Sequence, residues 1–281
     1  MQTLVLCYHS QNILGGDYSN NDHVALASDL QAIARRRLPV ISLKRLVDFL
    51  QGRWGRYPKA AVVLTCDDGT LLDWHDYQHP EHGFQRSFDG IVQEFLAGLP
   101  YRQSAKGIMT SFVIADPVAR NEIDQVCYGG APLSDEDWWQ QAAASKRWLF
   151  GNHSWNHMHV GLTCLADEDG EPGNFHGIQS SASARRQVVQ ADLYLRERLP
   201  GKALAGVFAY PYGHSNCFLA HEFLPDRQQG HDIRAAVTTT AGLVRRDTNR
   251  FLIPRFTCGE HWQTPEQFEE ILDRLESVRQ L

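Results

Sequence analysis

The sequence lacks any apolar run approaching the roughly 18 residues of a membrane span. It also has no Cys-x-x-Cys pair, no excess of positive charge, no internal repeat and no low-complexity or Pro/Ser-rich linker. Each absence removes a class of protein. Without a long apolar run there is no expected membrane-spanning helix. The six cysteines (Cys7, Cys66, Cys127, Cys164, Cys217, Cys258) are widely and irregularly spaced, which excludes a zinc-finger pattern. They read mostly as small buried hydrophobes rather than a disulfide framework. Lys plus Arg number 27 against 33 Asp plus Glu, a net charge of −6, and this argues against a nucleic-acid surface. The short runs Arg35-Arg36-Arg37 and Arg245-Arg246 read as solvated faces. Residues Met1–His9 carry no basic segment, and their apolar run is too short for a secretory signal, so a cytoplasmic protein is expected.

What is present is an alternation of apolar strands and amphipathic helices. Hydrophobic residues make up 43% of the 281, enough to bury a sizeable core. The pattern predicts strands at 3–8, 61–66, 107–115, 147–152, 207–210, 235–239 and 251–255. Helices are expected at 24–36, 42–51, 86–98 and 180–199. Another is expected to start at Ser134 and bury Trp138, Trp139 and Ala142, and a terminal helix to be capped by Thr264 with Pro265 in its first turn. Strands alternating with helices imply a mostly parallel sheet. About seven such units closed on themselves give an α/β, TIM-like barrel, expected to be a single domain over residues 1–281. Segments 69–86, 116–133 and 161–179 read as long loops on the face where strands end.

Two short motifs sit at strand ends, where an α/β protein places its chemistry. Asp67 and Asp68 follow the apolar run Ala61–Leu64, and His153 and His157 follow Trp148-Leu149-Phe150. Taken singly, Asp-Asp-Gly is usually a turn and His-x-x-x-His recurs by chance. Together they supply two imidazoles and a carboxylate, which make a metal site with open positions, and a second carboxylate left over to act as general base. The residues alone leave open which aspartate does which. The same ligand set suits zinc, cobalt, nickel or iron.

With these motifs in this order, the sequence resembles the polysaccharide deacetylase (NodB-homology) family. Thr65-Cys66-Asp67-Asp68-Gly69 is similar to the family's first motif and His153-Ser154-Trp155-Asn156-His157 to its second. Thr110-Ser111-Phe112-Val113-Ile114 is similar to an intervening strand and Phe208-Ala209-Tyr210-Pro211-Tyr212-Gly213 to the third motif. The resemblance spans about residues 3 to 257. It implies a distorted (β/α)7 barrel and a divalent metal, zinc first, held by Asp68, His153 and His157. It further implies Asp67 as general base and the backbone N–H of Tyr212 as oxyanion donor. The substrate would be a carbohydrate carrying an N-acetyl group, such as a nucleotide- or lipid-linked sugar in surface-polysaccharide synthesis.

Two motif residues are missing. The arginine expected in the third motif is Ala209, and the fifth-motif histidine has no match near Ala236-Val237-Thr238-Thr239. Arg255 is the candidate replacement for the cation. His9, at the end of the first strand, is favoured as general acid over His214 and His261. The histidines His75, His79 and His82 read as part of an insertion rather than a second metal site. Trp74 and Tyr77 are candidate sugar platforms, and His159 reads as loop or as support for His157. A hydrolase of non-sugar linear or cyclic amides, or a glycan-binding barrel without catalysis, would fit the same motifs.

Overall fold

The computed structural model describes residues 1–53, 57–163 and 170–277. The apolar runs form seven parallel strands in one sheet: β1 (Gln2–Tyr8), β2 (Ala60–Cys66), β5 (Met109–Val113), β6 (Trp148–Asn152), β7 (Leu204–Ala209), β8 (Ala235–Val237) and β9 (Phe256–Thr257). Their spatial order is β8-β7-β6-β5-β2-β1-β9. β3 (Tyr77–His79) and β4 (Gly83–Gln85) form a separate antiparallel hairpin. Every residue of β1 and β2 is buried, as expected for parallel strands covered on both faces. The sheet curls, and its two edges approach through residues 253–255. Ile253 bridges Val237 of β8, and the Arg255 N–H donates to Thr240 O at 3.2 Å. This is the barrel that the alternation implied, in the distorted (β/α)7 form that the resemblance implied.

Helices α1 (Asp22–Arg35), α2 (Leu43–Leu50), α3 (Phe88–Gly98), α4 (Pro117–Cys127), α5 (Trp139–Ser145), α6 (Ser181–Ala184), α7 (Ala191–Arg198) and α8 (Pro265–Glu276) cover the sheet. Ser42 caps α2, and Thr264 caps α8 with Pro265 in its first turn. No helix among the described residues is long and apolar enough to cross a membrane.

Several expectations are corrected. The strand placed at 251–255 pairs as a strand only from Phe256, because Pro254 has no N–H to donate and breaks the ladder. The helix expected from Ser134 starts at Trp139. The Ser134 N–H is bound to Asp124 Oδ1 at 2.9 Å, and Asp135 accepts from the Asp137 N–H instead of opening a helix. Trp138, Trp139 and Ala142 are nevertheless buried. Segment 116–133 is not all loop: Asp116 caps α4, with Pro117 in its first turn. The stretch between α6 and α7, Arg185–Gln190, widens into a π-helix. Segment 69–86 contains the β3–β4 hairpin. Cys164 and the rest of 164–169 lie outside the described residues.

Strand alternation places the chemistry. Val5, Ala61, Val63, Leu149, Ala205, Val207, Val237 and Ile253 belong to one buried cluster drawn from across the sheet, the barrel interior. Leu4, Leu6, Val62 and Leu64 belong to a second cluster shared with α1, α3, α5 and α8. The interior parity continues from Val5 to Cys7 and His9, from Val63 to Thr65 and Asp67, from Leu149 to His153, and from Ile253 to Arg255.

Asp68 leaves that alternation. It and Gly69 both adopt left-handed backbone with φ 69°, which turns the chain sharply over Val113. A Cβ at Gly69 would be driven into the Val113 side chain and lie 3.0 Å from its Cα. Gly69→Ala is therefore expected to destabilise the fold by about 2–4 kcal/mol in chemical denaturation. Wild-type stability in that variant would contradict this account of the turn.

Candidate metal centre and catalytic site

Three strand ends deliver the cluster. Asp67 and Asp68 follow β2, His153 and His157 follow β6, and Tyr212 follows β7. Five of the seven non-glycine residues with left-handed backbone among the described residues lie in these loops: Asp68, Ser154, His157, Met158 and Tyr212. Such conformations persist only where the surroundings enforce them. Here the enforcement is visible. Asn152 Oδ1 accepts from the Ser154 N–H at 2.8 Å, Ser154 Oγ from the His157 N–H at 2.8 Å, and Asn156 Oδ1 from the Met158 N–H at 3.0 Å.

Asp68 Oδ1 lies 3.5 Å from His153 Nε2 and 3.6 Å from His157 Nε2. A cation about 2.1 Å from two donors in a tetrahedral array holds them about 3.4 Å apart. The observed spacing therefore fits a metal with no rearrangement. His153 Nδ1 lies 3.0 Å from Ala209 O. A carbonyl can only accept, so Nδ1 carries the hydrogen and Nε2 presents its lone pair to the site. Burial, then the neighbouring His153, pushes His157 down to about 3, so its ring is neutral and able to ligate. Gln11 Nε2 donates to Asp68 Oδ2, leaving Oδ1 to face the histidines.

Asp67 has a different environment. Arg255 NH1 and NH2 donate to its two carboxylate oxygens at 2.7 and 2.6 Å. Arg255 is 0% exposed and Asp67 3%. Arg255 also donates to Thr65 Oγ1 at 3.1 Å and, through Nε, to Thr238 O at 3.0 Å. Burial alone would raise the Asp67 carboxyl; Arg255 and then His153 outweigh it and hold it well below the usual carboxylate range. The candidate cation read from sequence thus stands against the aspartate it was meant to serve. Ala209, at the motif position of the absent arginine, contributes its carbonyl to His153 instead.

A second trio, Cys7, His9 and Asp67, also has potential ligand atoms within 4.8 Å of one another. It suits a cation poorly. Both Asp67 oxygens already accept from Arg255, whose positive charge would repel a metal, and burial pushes the Cys7 thiol well above its ordinary value. His9 remains as a histidine beside Asp67, which His153 Nε2 also borders at 3.8 Å from Oδ2. Of the other candidate acids, His214 stacks on His176 at 4.2 Å, and His261 Nδ1 accepts from the Thr257 N–H at 2.9 Å. His79 Nδ1 accepts from the Glu81 and His82 N–H groups, so it serves the hairpin turn; its ring stacks on His82. Trp74 packs against Arg147 and reaches Gln141, and Tyr77 packs beside Leu72 and Leu133; both are half-buried. His159 lies 5.9 Å from the His157 ring, with Cys127 Sγ 4.0 Å from its Nε2.

Sequence reasoning missed Gln11 and Asp73. Asp73 accepts from Ser10 and Ser111 Oγ at 2.7 Å each and from Cys66 Sγ at 3.3 Å; its burial pushes it up to about 6. Nothing in the sequence marks either residue, since both lie in loops reached only through the fold. A cavity of about 540 Å³ bounded by Lys44, Asp192, Arg196 and Arg234 shares no residue with the cluster.

No family model matches the chain, and no curated protein matches it. Solved structures do. IcaB from Ammonifex degensii is 20% identical with a TM-score of 0.61, covering 98% of this chain and 97% of that one. The deacetylase PplD of Streptococcus pyogenes, in complex with acetate, is 16% identical with a TM-score of 0.62, covering 96% and 97%. A de-N-acetylase from Aggregatibacter actinomycetemcomitans is 15% identical with a TM-score of 0.60, covering 95% and 100%. The chain has the NodB-type polysaccharide deacetylase fold.

Because Gln11 engages the second oxygen of Asp68, Gln11→Ala should weaken the binding of a divalent cation held by this trio about 10- to 100-fold in a competition titration, with melting temperature little changed. Unchanged affinity would show that Asp68 is oriented without it.

Proposed function

We propose that this chain is a metal-dependent hydrolase that removes an acyl group, N-acetyl in the first instance, from an amino sugar or polysaccharide precursor. The observation that carries the reading is the division between adjacent aspartates. Asp68 faces two histidine lone pairs at metal-ligand spacing, while Asp67 faces a guanidinium. The shared fold with proteins described as deacetylases supports the same reading.

In this reading Asp68, His153 and His157 hold the cation. When bound, a divalent metal, zinc first, supplies Lewis acidity toward the acyl oxygen and the attacking water. Arg255 takes one lone pair on each Asp67 oxygen, and each oxygen keeps another to accept the water's proton. Arg255 also keeps Asp67 ionised and fixes its plane, so the base is oriented before substrate arrives. As the water oxygen bonds to the acyl carbon, the backbone N–H of Tyr212 stabilises the developing oxyanion. The left-handed Tyr212 backbone (φ 57°) and the packing of its ring on His157 at 4.5 Å set the direction of that N–H. His9 gives a proton to the departing nitrogen. The C–N bond breaks, one water is consumed, and acetate and a free amine leave.

Asp67→Asn is expected to lower kcat for acetate release about 10²- to 10⁴-fold, the range for a positioned acid–base group. A chelator should abolish release, and zinc should restore it. Turnover unchanged after metal removal would exclude the proposal.

Arg255→Ala leaves a buried carboxylate unpaired and is expected to cost about 3–5 kcal/mol of stability. The pH profile separates this from simple unfolding. The base works ionised, so activity falls as pH drops through the Asp67 pKa. Wild type should keep its acidic limb below the ordinary carboxylate range, whereas in metal-loaded Arg255→Ala, burial acts unopposed by Arg255 and the limb should move up. An unmoved limb would remove Arg255 from its proposed role. His9→Gln should lower kcat for acetate release about 10²- to 10⁴-fold; unchanged turnover would assign the acid elsewhere.

A further inference from the structure

A continuous file of rings leaves the metal cluster for the surface. His153 and His157 lie 4.7 Å apart, His157 and Tyr212 4.5 Å, Tyr212 and His214 5.4 Å, and His214 and His176 4.2 Å. His153 and His157 are buried at its inner end and His176 is exposed at its outer end; between them Tyr212 is 37% exposed and His214 half-buried.

The outer end is held in place by its surroundings. His214 and His176 come from loops 38 residues apart in sequence, yet their planes lie within 17° of parallel. Asn216 Nδ2 donates to His176 O at 3.3 Å and to Ile178 O at 2.9 Å, tying the two loops together. His176 Nδ1 donates to Ser215 O at 2.9 Å, so its Nε2 keeps a lone pair for a ligand hydroxyl. The acyl-transfer chemistry proposed above uses neither ring.

We propose that the His214–His176 stack, reached from the catalytic cluster across Tyr212, is a binding subsite for a neighbouring sugar ring of the same chain whose N-acetyl group is hydrolysed. A sugar ring offers apolar C–H faces to stack on a flat ring and hydroxyls for Nε2, and it carries no charge. Burial, then the neighbouring His176, lowers the His214 pKa, so this part of the platform is uncharged at neutral pH. The proposal rests on the deacetylase reading for its position next to the reaction, and its test separates the two.

The zinc-loaded protein is assayed for acetate release from the monomer and the pentamer of N-acetylglucosamine. Wild type should prefer the pentamer in kcat/KM. In the double variant His176→Ala/His214→Ala the pentamer should lose about tenfold more than the monomer does. Equal losses on both lengths would overturn the subsite and point to a role for His214 in the chemistry itself. No loss on either would also overturn it.

Calorimetric binding of the intact pentamer to Asp67→Asn protein, with and without the two histidine changes, reads the subsite independently of turnover. Weaker pentamer binding after removing the rings supports the subsite even if the wild type releases no acetate, a result that would remove only the deacetylase reading. Equal or absent pentamer binding in both proteins overturns the subsite.

Discussion

The buried ion pair between Arg255 and Asp67 is the interaction on which the rest of the site depends. It lies inside the barrel, between the end of β2 and the segment that brings the two sheet edges together. A guanidinium buried at 0% exposure is tolerable only with its donors satisfied, and here the carboxylate, Thr65 and Thr238 satisfy them. The same bonds that balance the charge give Asp67 its ionisation and its orientation. Structure and chemistry therefore share one set of contacts. The segment 253–255 closes the barrel and in doing so delivers the cation.

This pair also gives the two adjacent aspartates different surroundings, on which their proposed division of labour rests. Both lie near two imidazoles, and either has the chemistry of a metal ligand. Asp67 keeps the strand parity, points inward and has both oxygens taken by a cation. Asp68 sits on a left-handed turn, escapes that parity and presents one oxygen to His153 and His157 while Gln11 engages the other. A metal placed by Asp67 would sit against a guanidinium; a metal placed by Asp68 would not. In the proposed reading, electrostatics separates the ligand from the base without any difference in residue type.

Much of this was legible in the sequence because strands carry a period of two. Counting from Val63 to Asp67 and from Leu149 to His153 places both residues in the interior, and the apolar runs before them mark where the strands end. The same counting along Ile253 to Arg255 brings the replacement arginine inside, even though Pro254 keeps that segment out of the ladder. What stayed hidden depends on contacts between distant loops. Gln11 and Asp73 carry no local pattern. The helix at Pro117–Cys127 carries a cap at Asp116 and Pro117 in its first turn but reads as loop, because Val118, Val126 and Cys127 face solvent and only Ala119 and Ile123 of its apolar residues are buried. The stacking of His214 on His176 joins two loops whose spacing in sequence gives no hint of their meeting.

The central claim is that the cation belongs to Asp68, His153 and His157 and is kept from Asp67 by Arg255. Anomalous diffraction at the zinc edge, from crystals grown with zinc, tests it most directly. The account predicts a peak bounded by Asp68 Oδ1, His153 Nε2 and His157 Nε2, with Arg255 still paired to Asp67. A peak among Cys7, His9 and Asp67, or no peak at either trio, would contradict it.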